Sequence, residues 1–318
     1  MTSLAGKREE PIDGPCARAR RTLDEVDSLI RARRLAESYR LLGPALSGIQ
    51  AEAEVAGVGP ELTRVVREHP VFSTCQQDPY THRAFAKPRG YAGDAVMLDF
   101  VYCGQPPAGT SEPGATVFAV TTRGPMGLSV LFRRSLLKAY VDDVVATTPG
   151  FRILSVASGH CRELQGSLLL EGESSGDFLA LDQDASCCEQ VAADYPHPVV
   201  RSEPCTVRTL IGGAAAALGK FDLVYSAGLY DYLPDPVATK LTAVLTRCLR
   251  PGGRLVIGNF LPTSSGRGYM SQFMDWHLRY RSESELVAMF GEGPGPRVRT
   301  AADPHGNVVY AEYRSGHG

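Results

Sequence analysis

Arg152-Ile153-Leu154-Ser155-Val156-Ala157, followed by Ser158-Gly159, is a short apolar run of strand-forming residues that ends on small residues. The pattern returns in Phe178-Leu179-Ala180-Leu181-Asp182, in Phe221-Asp222-Leu223-Val224-Tyr225-Ser226 and in Arg254-Leu255-Val256-Ile257-Gly258-Asn259-Phe260. Helical spacing follows the second run through Tyr195 and follows the third from about Pro236 to Leu249. Strands that alternate with helices predict βαβ units and a mostly parallel sheet. The chain closes with two apolar stretches, Arg297 to Thr300 and Val308 to Tyr313, around His305-Gly306-Asn307. They read as an antiparallel pair joined by a turn.

Working back toward the N-terminus, the rhythm becomes helical. Residues 1–20 mix Arg, Glu, Pro and Gly without periodicity and read as a disordered tail. From Thr22 the spacing Leu23, Val26, Leu29, Ile30, then Leu35, Tyr39, Leu41, Leu42, predicts helix. Pro44 is expected to interrupt it, with helix again over Ala45 to Glu54 and from Pro60 through Val66. Gly104 to Thr116 is rich in Pro, Gly, Ser and Thr and reads as a connector or lid loop. Helix resumes over Pro125 to Val145 and is closed by Pro149-Gly150. The expected organisation is therefore a tail over 1–20, a helical cap over 21–117 and an α/β domain over 118–318.

Composition narrows the function classes. A formal net charge of −2 argues against a nucleic-acid footprint or an anionic membrane partner. No apolar run reaches bilayer length and no signal-peptide core opens the chain, so the expected location is cytoplasmic. The eight cysteines include the adjacent Cys187 and Cys188 but no CxxC pair, which fits buried thiols and no metal site.

In a doubly wound sheet, ligands bind beyond the carboxyl ends of the strands where the order reverses. At the first strand end, Ser158 and Gly159 let the backbone approach a ligand closely. This loop has one glycine where a dinucleotide fingerprint has three. Asp182 ends the second run, 23 positions after Gly159, near the spacing at which an acid receives ribose hydroxyls. Asp184 reads instead as the cap of the following helix. At the third end, Ser226, Ala227 and Gly228 again permit close approach, and Cys205-Thr206-Val207-Arg208 lies where the chain passes a base.

These strand ends resemble those of class I methyltransferases that use S-adenosylmethionine. The likeness rests on the turn at Ser158-Gly159, the acid at Asp182, the Phe221-Asp222-Leu223-Val224 strand and the Leu249-Arg250-Pro251-Gly252-Gly253-Arg254-Leu255 turn and strand, and covers about 170 C-terminal residues. It implies a Rossmann-like class I methyltransferase sheet, mostly parallel with a C-terminal antiparallel hairpin, and S-adenosylmethionine as cofactor. The cofactor residues it implies are Ser158, Gly159, Asp182, Gln183, Thr206, Val207, Ser226, Ala227 and Gly228. The ligand has no pyrophosphate, so the sparse glycine loop is compatible with it.

Further runs are similar to a bacterial group of methyltransferases that make 3-hydroxypalmitic acid methyl ester. They are Lys87-Pro88-Arg89-Gly90-Tyr91-Ala92-Gly93-Asp94-Ala95, Tyr225 to Tyr232, Ile257 to Phe260, Tyr269-Met270 and Asp275-Trp276. The acceptor implied is a small molecule, a hydroxy fatty acid or secondary metabolite methylated on a carboxylate or hydroxyl. The 87–94 stretch is expected to fold over the cofactor, with Arg89 or Tyr91 near its carboxylate; Arg133 and Arg134 are the alternatives, unless they are a solvated pair on a helix surface. An Arg–Asp pair locking a turn is the plainer reading of 87–94.

Asn259, Phe260, Arg267, Tyr269, Trp276 and Arg281 are expected to edge the substrate pocket, where aromatics can surround a sulfonium and an arginine can hold a carboxylate. For proton transfer the candidates are His160, Tyr91, Tyr230 and Asp231. A homodimer is a further expectation. Three rivals stand beside methyl transfer. One is cyclisation of S-adenosylmethionine to azetidine-2-carboxylate with release of methylthioadenosine. The others are an NAD-dependent oxidoreductase, disfavoured by the missing GxGxxG, and a non-catalytic protein that binds S-adenosylmethionine.

Overall fold

The computed structural model describes residues 14–171, 175–291 and 298–316. The chain packs into two compact units. The described residues of Met1–Met126, with Ser265–His277, form a helical unit; Gly127–Ser264 with Leu278–Gly318 forms a sheet unit.

The helical unit contains Pro15–Arg31, Leu35–Ala56, Gly59–Glu68, Pro70–Cys75, Pro79–Ala86, Ala95–Cys103, Glu112–Arg123 and Arg267–Phe273. Helix begins at Pro15, seven residues ahead of the sequence reading, because proline suits the first helical position and Cys16 and Ala19 are buried. Of the tail expected over 1–20, residues 1–13 lie outside the described residues, and the helix from Pro15 overturns the rest.

The interruption expected at Pro44 is overturned, since Leu35–Ala56 runs through it. Proline removes one backbone donor and crowds the preceding turn, at a cost of about 3 kcal/mol. Tyr39, Leu42, Leu46, Ile49 and Ala53 fall on one buried stripe on both sides of it, and their burial outweighs that cost.

The expected connector over 104–116 is also shorter, because Ser111 caps Glu112–Arg123 by accepting the Gly114 N–H at 3.2 Å. The Arg267–Phe273 helix comes very close to Leu35–Ala56. A Cβ on Gly268 would lie 2.3 Å from the Leu46 carbonyl carbon, so only glycine fits.

Among the described residues the sheet unit holds seven strands: β1 Phe151–Val156, β2 Gly176–Asp182, β3 Val200–Pro204, β4 Phe221–Ser226, β5 Leu249–Phe260, β6 Val298–Ala302 and β7 Val308–Arg314. Their order is β3-β2-β1-β4-β5-β7-β6, and β7 alone runs against the others. This is a Rossmann-like sheet, mostly parallel with an antiparallel C-terminal hairpin, as the sequence predicts. The chain moves outward from β1 in one direction through β3 and then in the other from β4, so the switch point lies between β1 and β4.

The apolar runs of the strands are explained by burial on both faces. Leu154, Val156, Leu179, Leu181 and Val224 pack on one side with Leu241 and Leu245 of Asp235–Arg247. Ile153, Phe178, Ala180, Leu223 and Tyr225 pack on the other with Leu137, Val141 and Val144 of Pro125–Thr147.

Candidate functional site

Three strand ends converge at the switch point. After β1 the chain turns sharply: Ala157, Gly159 and Cys161 have φ of 55°, 54° and 48°. Glycine tolerates that region, whereas Ala157 does so at a cost of about 1–2 kcal/mol. The turn is held by its neighbour, since the Ser158 N–H donates to the Leu181 carbonyl at 3.1 Å.

Asp182 is the centre of this end of the sheet. It is buried, and its Oδ2 accepts the Gly159 N–H at 2.8 Å while its Oδ1 accepts the Asp184 N–H at 3.0 Å. Its own carbonyl accepts the Cys205 N–H at 2.7 Å, which ties the end of β3 to the same point. Each carboxylate oxygen can accept more than one hydrogen bond, so two backbone donors orient the group and leave acceptor capacity for a ligand diol. Asp184 caps Ala185–Asp194 through the Ser186 N–H at 3.0 Å, as its position suggests. Gln183 and Thr206 are exposed beside them; the Thr206 hydroxyl accepts the Thr209 N–H, and Val207 packs against the sheet core.

At the end of β4, Ser226 is spent on the fold, its hydroxyl donating to the Val156 carbonyl at 2.9 Å. Ala227 and Gly228 leave a small-residue end. The Ala227 carbonyl accepts Arg133 Nη1 at 2.9 Å, and a Cβ on Gly228 would stand 3.3 Å from that nitrogen. Arg133 is therefore not part of a solvated surface pair: it is 8% exposed. It continues the buried stripe Val130, Leu137, Val141 and Val144 at helical spacing, a signal the sequence does carry.

Two acids lie in its field. Glu163, buried under the β1 turn, accepts the Tyr225 hydroxyl at 2.6 Å. Burial raises its pKa, against the Tyr225 hydrogen bond and the Arg133 charge. Asp231 is 3% exposed, and its Oδ1 accepts the Phe260 N–H at 2.7 Å. Burial pushes its carboxyl up to about 7, opposed by that hydrogen bond and by Arg133 and Arg281. Glu163 and Tyr225 were not singled out by sequence reasoning; nothing local marks them, because they meet from separate segments. His160 is buried, with Nδ1 3.5 Å from Arg162 Nη2.

Other expected site residues have structural roles. Tyr230 is fully buried, its hydroxyl shares a hydrogen with Thr242 Oγ1 at 2.9 Å, and burial raises its pKa. It is a core residue, which removes it as a proton-transfer candidate. Arg281 is not available for a substrate carboxylate either. Its guanidinium donates to the carbonyls of Tyr230 (2.7 Å) and Leu233 (2.5 Å), to Asn259 Oδ1 (2.8 Å) and to Asp235 Oδ1 (2.7 Å). Asn259 is equally committed, with Nδ2 donating to the Phe260 and Arg279 carbonyls at 2.9 Å each. Phe260 is buried, and both its backbone groups are bonded within this knot.

Arg267, Tyr269 and Trp276 belong to the helical unit. Arg267 pairs with Glu54. The Tyr269 hydroxyl is 2.9 Å from Thr81 Oγ1, and its ring stacks on Phe273 at 4.9 Å. Trp276 is 7% exposed, its backbone N–H donating to the Met270 carbonyl.

In the 87–94 stretch Arg89 and Tyr91 are half-buried. Asp94 pairs with Arg83, which lies ahead of this stretch, at 2.7–3.0 Å, and Asp94 also caps Ala95–Cys103. Lys87 pairs with Asp275, which also accepts Arg67 Nη2 at 2.8 Å. Among the described residues, no helix is long and apolar enough to cross a membrane and no cluster of three His, Cys, Asp or Glu side chains forms a metal site.

No protein-family model and no curated protein matches the chain. Solved structures do. A possible exported protein from Bordetella parapertussis aligns with a TM-score of 0.57 at 17% identity, over 70% of this chain and 79% of that one. Magnesium protoporphyrin IX methyltransferase from Synechocystis PCC 6803, with bound SAH, aligns at 0.44 and 12% identity over 59% of this chain and 85% of that one. An O-methyltransferase family protein from Burkholderia thailandensis aligns at 0.46 and 13% over 63% and 60%. The first of these supports the fold.

Proposed function

We propose that the sheet unit binds S-adenosylmethionine across the ends of β1, β2 and β4, and that the protein is a methyltransferase of a small-molecule acceptor. One observation carries this reading. Asp182, at the end of the strand beside β1, is buried with both carboxylate oxygens oriented by backbone N–H groups of the adjoining turns. A carboxylate so held suits two vicinal hydroxyls, and the turn after β1 carries the single glycine Gly159 rather than the glycine run of a pyrophosphate-binding loop.

The donor set fits the cofactor. Asp182 would receive the ribose, the backbone at Thr206 and Val207 the base, and Ala227 and Gly228 the sulfur end. When bound, the cofactor supplies an activated methyl group, and its transfer is an in-line displacement that relies on alignment and exclusion of water. A carboxylate acceptor needs no base. For a hydroxyl acceptor, Asp231, five residues past the end of β4, is the candidate base, its carboxyl pushed up by burial to about 7. The likeness of 87–95 and 225–232 to the 3-hydroxypalmitic acid methyl ester group favours a hydroxy fatty acid or related metabolite as acceptor.

The test is calorimetric titration with S-adenosylhomocysteine, followed by product analysis. Wild-type protein is expected to bind, and Asp182→Ala to bind at least about tenfold more weakly, the loss expected when a charged acceptor is removed. Wild-type protein that binds no adenosyl ligand overturns the reading. S-adenosylhomocysteine formed only with an acceptor supports methyl transfer, whereas methylthioadenosine formed from S-adenosylmethionine alone would replace it with cyclisation.

A further inference from the structure

The turn between β6 and β7 stands at the ligand end of the sheet. Val308 pairs with Phe260, the last residue of β5, and the Asp303 N–H donates to the Val308 carbonyl at 2.8 Å. Residues 303–307 therefore lie at the same edge as the ends of β1, β2 and β4, on the β5 side of the switch point. The chain leaving β5 is tied to this turn, since the Leu261 N–H and the Ser264 hydroxyl both donate to the Asn307 carbonyl at 2.8 Å. The Asn307 amide donates in turn to Ser129 Oγ at 2.9 Å. All of these residues belong to the sheet unit.

Within the turn, Asp303 is half used. It is 4% exposed, and its Oδ1 accepts the Asn307 and Val308 N–H groups at 2.7 and 2.9 Å. Those two bonds close the turn with one oxygen. Its Oδ2 is buried and, among the described residues, receives no hydrogen bond. The buried Asp78 of the helical unit differs, with both oxygens bonded to the Tyr80 and Thr81 N–H groups and to two threonine hydroxyls. An acceptor oxygen kept from water without a donor is costly, so a donor from outside the chain is expected at Asp303.

Gly258 on β5 lies between this turn and the end of β4. A Cβ there would stand 3.1 Å from the Tyr310 ring and 3.5 Å from Ala227 Cα, so glycine lets the ring lie across β5. Neighbouring strands are about 4.8 Å apart, which sets β7 about 10 Å from β4. An acid aligned for methyl transfer at β4, with a hydroxyl on its β-carbon, spans about that distance once its hydrogen bond is included.

We infer that Asp303 is a specificity-determining residue of the acceptor site, its Oδ2 accepting a hydrogen bond from a hydroxyl of the acceptor. This rests on the methyltransferase reading above and deepens it, because it makes the acceptor an acid with a hydroxyl close to the methylated carboxylate. A site that supplies a buried partner for a substrate hydroxyl discriminates strongly against the analogue without it, since that partner is then left unpaired.

3-Hydroxypalmitic acid and palmitic acid differ by that hydroxyl and are the probes. With S-adenosylmethionine, wild-type protein is expected to form the methyl ester of the hydroxy acid with kcat/KM at least about tenfold above that for palmitic acid. Asp303→Ser keeps a hydroxyl that can serve the turn and removes Oδ2. The preference should then fall below about threefold, while affinity for S-adenosylhomocysteine, read by calorimetry, changes less than about threefold. If that variant does not fold, Asp303→Asn replaces Oδ2 by a nitrogen that only donates. In it, 3-methoxypalmitic acid, whose ether oxygen only accepts, should gain on the hydroxy acid by at least about threefold over the wild-type ratio.

A preference unchanged in Asp303→Ser means that Oδ2 bonds water alone and overturns the assignment. Wild-type protein that esterifies both acids equally, or neither, also overturns it. Wild-type protein that binds no S-adenosylhomocysteine overturns the cofactor reading itself, a result distinct from any failure of Asp303.

Discussion

The ends of β2 and β5 invite comparison, because each gathers a buried charged group beside the chain's small and polar residues. At β2, Asp182 is held by two backbone N–H groups that orient it without exhausting its acceptors. At β5, Asn259 and Arg281 form a closed knot with the Tyr230, Leu233, Phe260 and Arg279 carbonyls and the Asp235 carboxylate. Both look like sites in sequence. Only where donors and acceptors are left over can a ligand be received; the β5 knot stabilises the fold instead.

That contrast is sharpest in stability. Arg281→Ala leaves several buried acceptors without donors and is expected to cost about 3–5 kcal/mol, read as a lower urea midpoint. An unchanged midpoint would remove the knot as a structural element. The Asp182→Ala variant should instead lose ligand affinity out of proportion to its stability.

Asp231, in the field of Arg133 and Arg281, gives the next effect. Its carboxyl is raised to about 7 in the folded protein from the ordinary 3.8. Between roughly pH 4 and 7 the folded state therefore keeps a proton that the unfolded chain has released. Stability should fall as pH rises through that window and level off above it, by a few kcal/mol at about 1.4 kcal/mol per pH unit. Urea midpoints of wild type minus Asp231→Asn across that range measure it; a flat difference would show that the carboxyl is not held neutral.

The smallest expected effect is at the β1 turn. Ala157→Gly relieves a left-handed backbone and should raise stability by under about 1 kcal/mol, since the added chain entropy offsets part of the gain. Lower stability in thermal unfolding would mean that the alanine methyl contributes packing worth more than the strain.

Much of the fold was legible in the chain. The four apolar runs ending at Ala157, Asp182, Ser226 and Phe260 correspond to β1, β2, β4 and β5, because strands buried on both faces must be nearly all apolar. The C-terminal pair around His305-Gly306-Asn307 is β6 and β7. Pro44 misled, since local propensity at one position is outweighed by a buried stripe along 22 residues.

Of the candidate site, sequence by itself located which residues stand at the strand ends, because spacing from strand to acid is a local property of a βα turn. It could not separate Asp182 from Arg281, or Tyr230 from a catalytic tyrosine. Tyr230 is distinguished by Thr242, and Arg281 by carbonyls up to 51 positions away. Arg133 lies 94 positions from Ala227. Whether a polar group is consumed or left available depends on such distant partners, and only the tertiary structure brings them within hydrogen-bond reach.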